Sequence, residues 1–148
     1  MDITLVFQVV IVGLVLALFH TYVFQTRAIL RAPEKKGRAL DTYWVLNNTA
    51  SQVSMIHYGL FLGCAGYVYA AIAGITFIGI ISVLGAIIFV RGLTVHERFA
   101  LLACLVLLGV QYAPRMEWPV FTLFSSIGIV ALGYQYFTIH REDRGVVQ

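Results

Sequence analysis

The chain has 148 residues, 60% hydrophobic and 11% charged, with a net charge of +3. A soluble domain carries roughly 25% charged and under 50% apolar residues, so a mean hydropathy of +0.87 excludes a compact water-soluble core and makes lipid the solvent for much of the surface. The positive excess lies beside apolar runs and calls for no nucleic acid, because contact with anionic lipid accounts for it.

Crossing a hydrocarbon core of about 30 Å takes about 20 apolar residues. Residues 3–24 supply the first crossing. No basic segment precedes it and no small-residue cleavage site follows it, so it reads as a retained span and not a signal peptide. A basic loop, 25–44, comes next, with Arg27, Arg31, Lys35, Lys36 and Arg38. Between Asp41 and Arg91 there is no charge at all. That length suits two crossings, 45–72 and 74–90, with the turn expected near Ala73-Gly74. A fourth crossing is predicted over 95–113 and a fifth over 119–139. The fourth opens on Thr94-Val-His-Glu97, the pattern of a capping box, in which the threonine hydroxyl and the glutamate carboxylate each take a free backbone N–H. The expected fold is therefore an all-α, polytopic membrane bundle of five transmembrane helices in a single domain.

Charge sets the orientation. With five spans, an external N-terminus and an internal C-terminus, nine of the ten basic residues face the cytoplasm and only Arg115 does not. The positive-inside rule demands such a split, and a four-span chain would put the basic tail on the wrong side. Tyr43 and Trp44 then mark the inner boundary, and Tyr67, Tyr69, Tyr112 and Trp118 the outer one. The expected location is a bacterial or archaeal cytoplasmic membrane or its organellar equivalent.

Two patterns lie in the second span. Gly59, Gly63, Gly66 and Ala70 fall on one helical face, and small residues of this kind let helix backbones approach closely. A weaker seam of Gly79, Ser82 and Ala86 follows on the third span. Ahead of the glycines come Asn47, Asn48, Thr49, Ser51, Gln52 and Ser54, with Tyr58 on the same side as Asn47, Ser51 and Ser54. Groups like these are costly against acyl chains. They serve either as contacts between helices or as the lining of a polar cleft facing the cytoplasm. Cys64 and Cys104 lie apart inside apolar runs and read as small packing residues.

The histidines suggest a cofactor. His20, His57, His96 and His140 all fall toward the inner leaflet on this topology. His20 and His57 sit at depths that would let them hold a haem b iron from adjacent helices, since axial histidine is a standard haem ligand. A quinone would then approach the polar mouth of the second span. No Asp, Glu, Lys or Arg occupies the middle of any span, which disfavours a proton relay or charged ion path. No phosphate-binding loop, zinc-protease motif or nucleophile elbow appears.

A first span, a basic loop and an asparagine-bearing second span together resemble the membrane glutathione transferase and eicosanoid-synthase family. That family's Arg-x-x-x-Asn-x-x-Glu pattern is not reproduced, because residues 40–56 hold neither arginine nor glutamate. Five spans also depart from its four, and no glutathione site is carried over. The reading that remains is a non-catalytic membrane subunit, packing or anchoring within a larger or homo-oligomeric complex. Its partners would be lipid and other transmembrane subunits or its own copies. The alternatives are a haem b and quinone-site electron-transfer anchor and a small homo-oligomeric channel or transporter, the channel lined by Asn48, Gln52 and Tyr58.

Overall fold

In the computed structural model, residues 3–31 and 42–146 are described, with side chains of the last helix described to residue 131 and at 133. Lys35, Lys36 and Arg38 of the basic loop, and the side chains of His140, Arg141 and Arg144, lie outside them. The described residues form five α-helices and no strand: α1 Ile3–Arg31, α2 Thr42–Phe61, α3 Tyr67–Arg91, α4 Val95–Val110 and α5 Glu117–Val146. Two stretches, Ile3–Arg31 and Gly63–Arg91, are long and apolar enough to cross a membrane, each 29 residues with hydropathy of 2.5 and 2.6.

The turn between the second and third helices differs from the expected one. It lies at Leu62–Gly66, where Gly63 adopts φ +68° and a single 3-10 turn reverses the chain. Positive φ costs an L-residue with a side chain about 1–2 kcal/mol, so the glycine marks the reversal. Ala73, by contrast, is fully buried in the interior of α3. The uncharged run therefore divides into 42–61 and 67–91, not 45–72 and 74–90.

This reversal changes what the small residues do. Gly59 and Gly66 face each other across the α2–α3 hairpin, so close that a Cβ on Gly66 would lie 2.1 Å from the Gly59 carbonyl oxygen. Ala70 packs on the same spot. The expected single-helix seam is in fact split between two antiparallel helices and spent inside the chain. Gly79 of α3 has a parallel role, since a Cβ there would come within 2.7 Å of the Tyr22 ring. Its absence seats α1 on α3.

α2 is the central helix, packed on α3, α5 and α4, whereas α1 leans on α3. One apolar cluster joins Tyr22 and Ile29 of α1 with Val45 and Leu46 of α2 and Ile80, Val83, Leu84 and Ile87 of α3. A smaller one joins Ala50 with Val120 and Phe124 of α5, covered by Cys104, Leu107 and Leu108 of α4.

Polar clasps close both ends of the bundle. At one end, the Arg91 guanidinium donates to both Glu97 carboxylate oxygens, at 2.9 and 3.1 Å, and also to the Thr42 hydroxyl. That ties the start of α2, the end of α3 and the start of α4. Glu97 also completes the capping box: Thr94 N–H donates to its carboxylate at 2.8 Å, and Glu97 N–H to the Thr94 hydroxyl at 3.3 Å. At the opposite end, Gln111 is 1% exposed. Its amide donates to the carbonyls of Ser54 and Glu117, at 3.1 and 3.2 Å, linking α2, α4 and α5.

Candidate functional site

α1 and α5 pack on different neighbours, and a cleft of about 450 Å³ opens between them with α2 as its floor. α2 supplies Asn47, Asn48, Ser51 and Gln52, together with Trp44. These positions are three and four apart, so helical spacing lays them along one side of α2. α1 contributes Tyr22 and Gln25, three residues apart and hence on one face, flanked by Leu18 and Thr21. Thr76 of α3 and Ser125, Gly128 and Ile129 of α5 complete the walls.

The hydrogen bonds inside this cleft run in one direction. The Gln52 amide donates to Asn48 Oδ1 at 3.3 Å, and Asn48 Nδ2 donates to the Tyr22 hydroxyl at 3.1 Å. On the other side Asn47 Nδ2 reaches the Phe124 carbonyl at 3.4 Å, a long bond. The hydroxyls of Thr21, Thr76 and Ser125 are turned back onto carbonyls of their own helices, those of Ala17, Ile72 and Phe121. Gln25 Oε1 is buried without a hydrogen-bond partner. A buried amide oxygen left unpaired costs about 1–3 kcal/mol. Among the described residues, none that lines the cleft carries a charge or a nucleophilic thiol, and none is a histidine. The lining can hold a hydrogen-bonding molecule.

The remaining polar residues of α2 point elsewhere. Ser54 is fully buried, with its hydroxyl unpartnered. Tyr58 stacks on Phe121 of α5 with ring centres 5.2 Å apart. Hence the expected polar set divides: Asn47, Asn48, Ser51 and Gln52 line one cleft, whereas Ser54 and Tyr58 do not. The proposed channel lining of Asn48, Gln52 and Tyr58 divides in the same way.

His20 and His57 stand at different heights in the bundle. His57 is four residues from the end of α2, and its ring lies 4.3 Å from that of Tyr112, just beyond α4. The early turn at Gly63 puts His57 near the Gly63 end of its helix, not in the half that begins at Thr42. From Asn48, His57 is about 13 Å further along α2, whereas His20 is only about 3 Å from Tyr22 along α1. With Tyr22 and Asn48 bonded to each other, the imidazoles differ in height by about 10 Å. A single iron needs both at one level, so the depth match that suggested haem does not hold. His20 and His96 are exposed.

Two features escaped the reading of the sequence. Tyr22 and Gln25 fall at the junction of the first span and the basic loop, and the only signal for them was their shared spacing on α1. The Arg91–Glu97 pair bridges a turn, where the capping pattern had accounted for the glutamate alone. Comparison with protein-family models, curated proteins and solved structures finds no match to this chain.

Proposed function

We propose that this chain is a five-helix integral membrane protein, N-terminus outside and C-terminus inside, that serves as a non-catalytic packing or anchoring subunit of a membrane assembly. The observation that carries this reading is α1. Its 18-residue apolar window has no buried residue, and Ile3, Leu5, Phe7, Val9, Leu14 and Leu16 are each more than half exposed. Only the lower part of α1, at Tyr22 and Ile29, is buried against the rest of the chain. In lipid, helices associate through packing and not through hydrophobic exclusion. The upper part of α1 gains almost none of that packing from its own chain. An apolar groove of about 430 Å³ between α1 and α3, lined by Val12, Val15, Val68 and Ile72 among others, offers a surface for side chains of a further helix to pack on.

The polar landmarks support the orientation. Tyr67, Tyr69, Tyr112 and Trp118 are exposed at the end that holds Gly63 and Arg115, as an aromatic belt requires. Arg27, Arg31, Arg91 and Arg98 gather at the other end. The partner is other transmembrane helices, from a second copy or a different subunit.

Sizing in mild detergent tests the assembly. The expected mass exceeds one chain, and a lone monomer at native abundance contradicts it. Reporter fusions at Met1 and after Gln148 should read exterior and cytoplasm; a C-terminus outside would remove one of the five spans.

A further inference from the structure

We propose that the cleft between α1, α2 and α5 is a binding site for an uncharged, lipid-soluble molecule whose head carries carbonyl or hydroxyl oxygens and whose tail leaves between α1 and α5. The inference rests on the membrane location argued above, but not on the assembly. Three observations converge on it.

The first is unspent hydrogen-bonding capacity. The donor chain from Gln52 through Asn48 ends on the Tyr22 oxygen, leaving the phenolic proton with no acceptor among the described residues. One turn along α1, Gln25 Oε1 is buried and unpartnered. A donor and an acceptor thus belong to two residues one turn apart that both line the cleft. A carbonyl oxygen satisfies the first and a hydroxyl the second. Acyl chains satisfy neither, and leaving such groups in hydrocarbon costs several kcal/mol each.

The second is charge. Among the described residues, no Asp, Glu, Lys, Arg or His lines the site. Asn48 lies about 9 Å along α2 from the basic end, so a phosphate or ammonium headgroup here would lose water and find no counter-ion. Only a neutral head meets the lining on equal terms.

The third is shape. A volume of about 450 Å³ falls within the usual range of small-ligand pockets, about 300–1,000 Å³. Trp44, Leu18 and Ile129 supply its apolar walls. Two kinds of membrane molecule share this chemistry, a quinone and a neutral glycerolipid.

The test uses the full chain in nanodiscs, carrying Trp118→Phe so that Trp44 is the remaining tryptophan. Decylubiquinone and dioctanoylglycerol are titrated separately, with dioctanoyl phosphatidylglycerol as the anionic control. Native mass spectrometry counts adducts, and Trp44 quenching follows the quinone. The proposal expects one saturable adduct per chain with one or both neutral probes; which of them binds identifies the source. Gly128→Leu, which fills the cleft from α5, and Gln25→Leu should each weaken binding at least tenfold. Ser54→Ala, outside the cleft, should leave it unchanged. Circular dichroism and melting of each variant show that the fold is kept, and two independent variants guard against the loss of one.

Three results overturn the proposal: no saturable neutral adduct, equal binding of the anionic lipid, or binding indifferent to both cleft variants. A protein that binds the neutral probe as a monomer keeps this proposal and loses the assembly. One released from membranes by alkaline carbonate loses the membrane reading itself.

Discussion

Two hollows of nearly equal size flank α1, about 450 Å³ toward α2 and α5 and about 430 Å³ toward α3. Their linings are opposite. The first gathers amides, hydroxyls and a phenol; the second offers Ile11, Val12, Leu16, Ala71 and Ile75, with Gln8 as its one polar side chain. In a soluble protein the apolar hollow would be the costly one. In lipid the order reverses, because any hydrocarbon fills an apolar groove, while unpaired amides are met by few molecules. On the proposed reading, the polar cleft would select an occupant by chemistry, and the apolar groove only by fit. Both share α1, which is held to α3 by the close approach of Tyr22 to Gly79.

The largest change should remove both hollows together. Gly66→Ala places a methyl where only 2.1 Å separates it from the Gly59 carbonyl, and main chain cannot swing aside. Overpacking of this kind costs about 3 kcal/mol or more. Thermal melting in detergent should show a large drop, with neutral-lipid binding and association lost in parallel.

Arg91→Ala comes next and acts on the end of the bundle beneath the polar cleft. It leaves the Glu97 carboxylate, 8% exposed, without its cation. Breaking a buried pair costs about 3–5 kcal/mol, and the Arg91 side chain is 30% exposed, so the expected loss is about 2 kcal/mol. Pairing it with Glu97→Gln should restore part of the melting temperature. The apolar groove, lying toward the other end, should keep its capacity for association.

Tyr22→Phe separates the two hollows directly. It deletes one hydrogen bond, worth about 1 kcal/mol of stability, and keeps the ring over Gly79. Neutral-lipid affinity should fall about tenfold, equivalent to 1.4 kcal/mol, while the oligomeric mass stays the same. Ala71→Trp makes the complementary change with the smallest effect on stability. Ala71 is exposed on the groove, so the melting temperature should move by no more than about 0.5 kcal/mol equivalent. Sizing should nevertheless shift toward the monomer, with cleft binding intact.

Much of the fold was legible in residue chemistry alone. Hydropathy announces helices, and Thr94 with Glu97 marks the start of α4 through a capping box that both bonds complete. Helical spacing also sets Asn47, Asn48, Ser51 and Gln52 along one side of α2. The position of the hairpin was not legible, because Gly63 offers the same letter for a close-packed helix face and for a positive-φ turn. With no charge or proline between Thr42 and Val90, nothing in the pattern chose between them. That single displacement of the turn moved His57 to the other end of the bundle and split the glycine seam between two helices. Nor does a sequence say that Tyr22 and Asn48, 26 residues apart, share a hydrogen bond. Such contacts depend on which helices are neighbours, which one chain's periodicity does not encode.

Membrane insertion and orientation are the premise of the proposed function, and cysteine labelling tests them most directly. Cys64 is exposed in the α2–α3 turn, and Val95 is 64% exposed at the start of α4. In a Cys104→Ala background, a membrane-impermeant maleimide applied to intact cells should label Cys64. In a Cys64→Ala, Cys104→Ala chain, Val95→Cys should react only after the membrane is permeabilised. Labelling of Val95→Cys in intact cells with Cys64 protected would reverse the orientation. Equal labelling of both positions before permeabilisation would contradict a bundle that crosses the membrane between them.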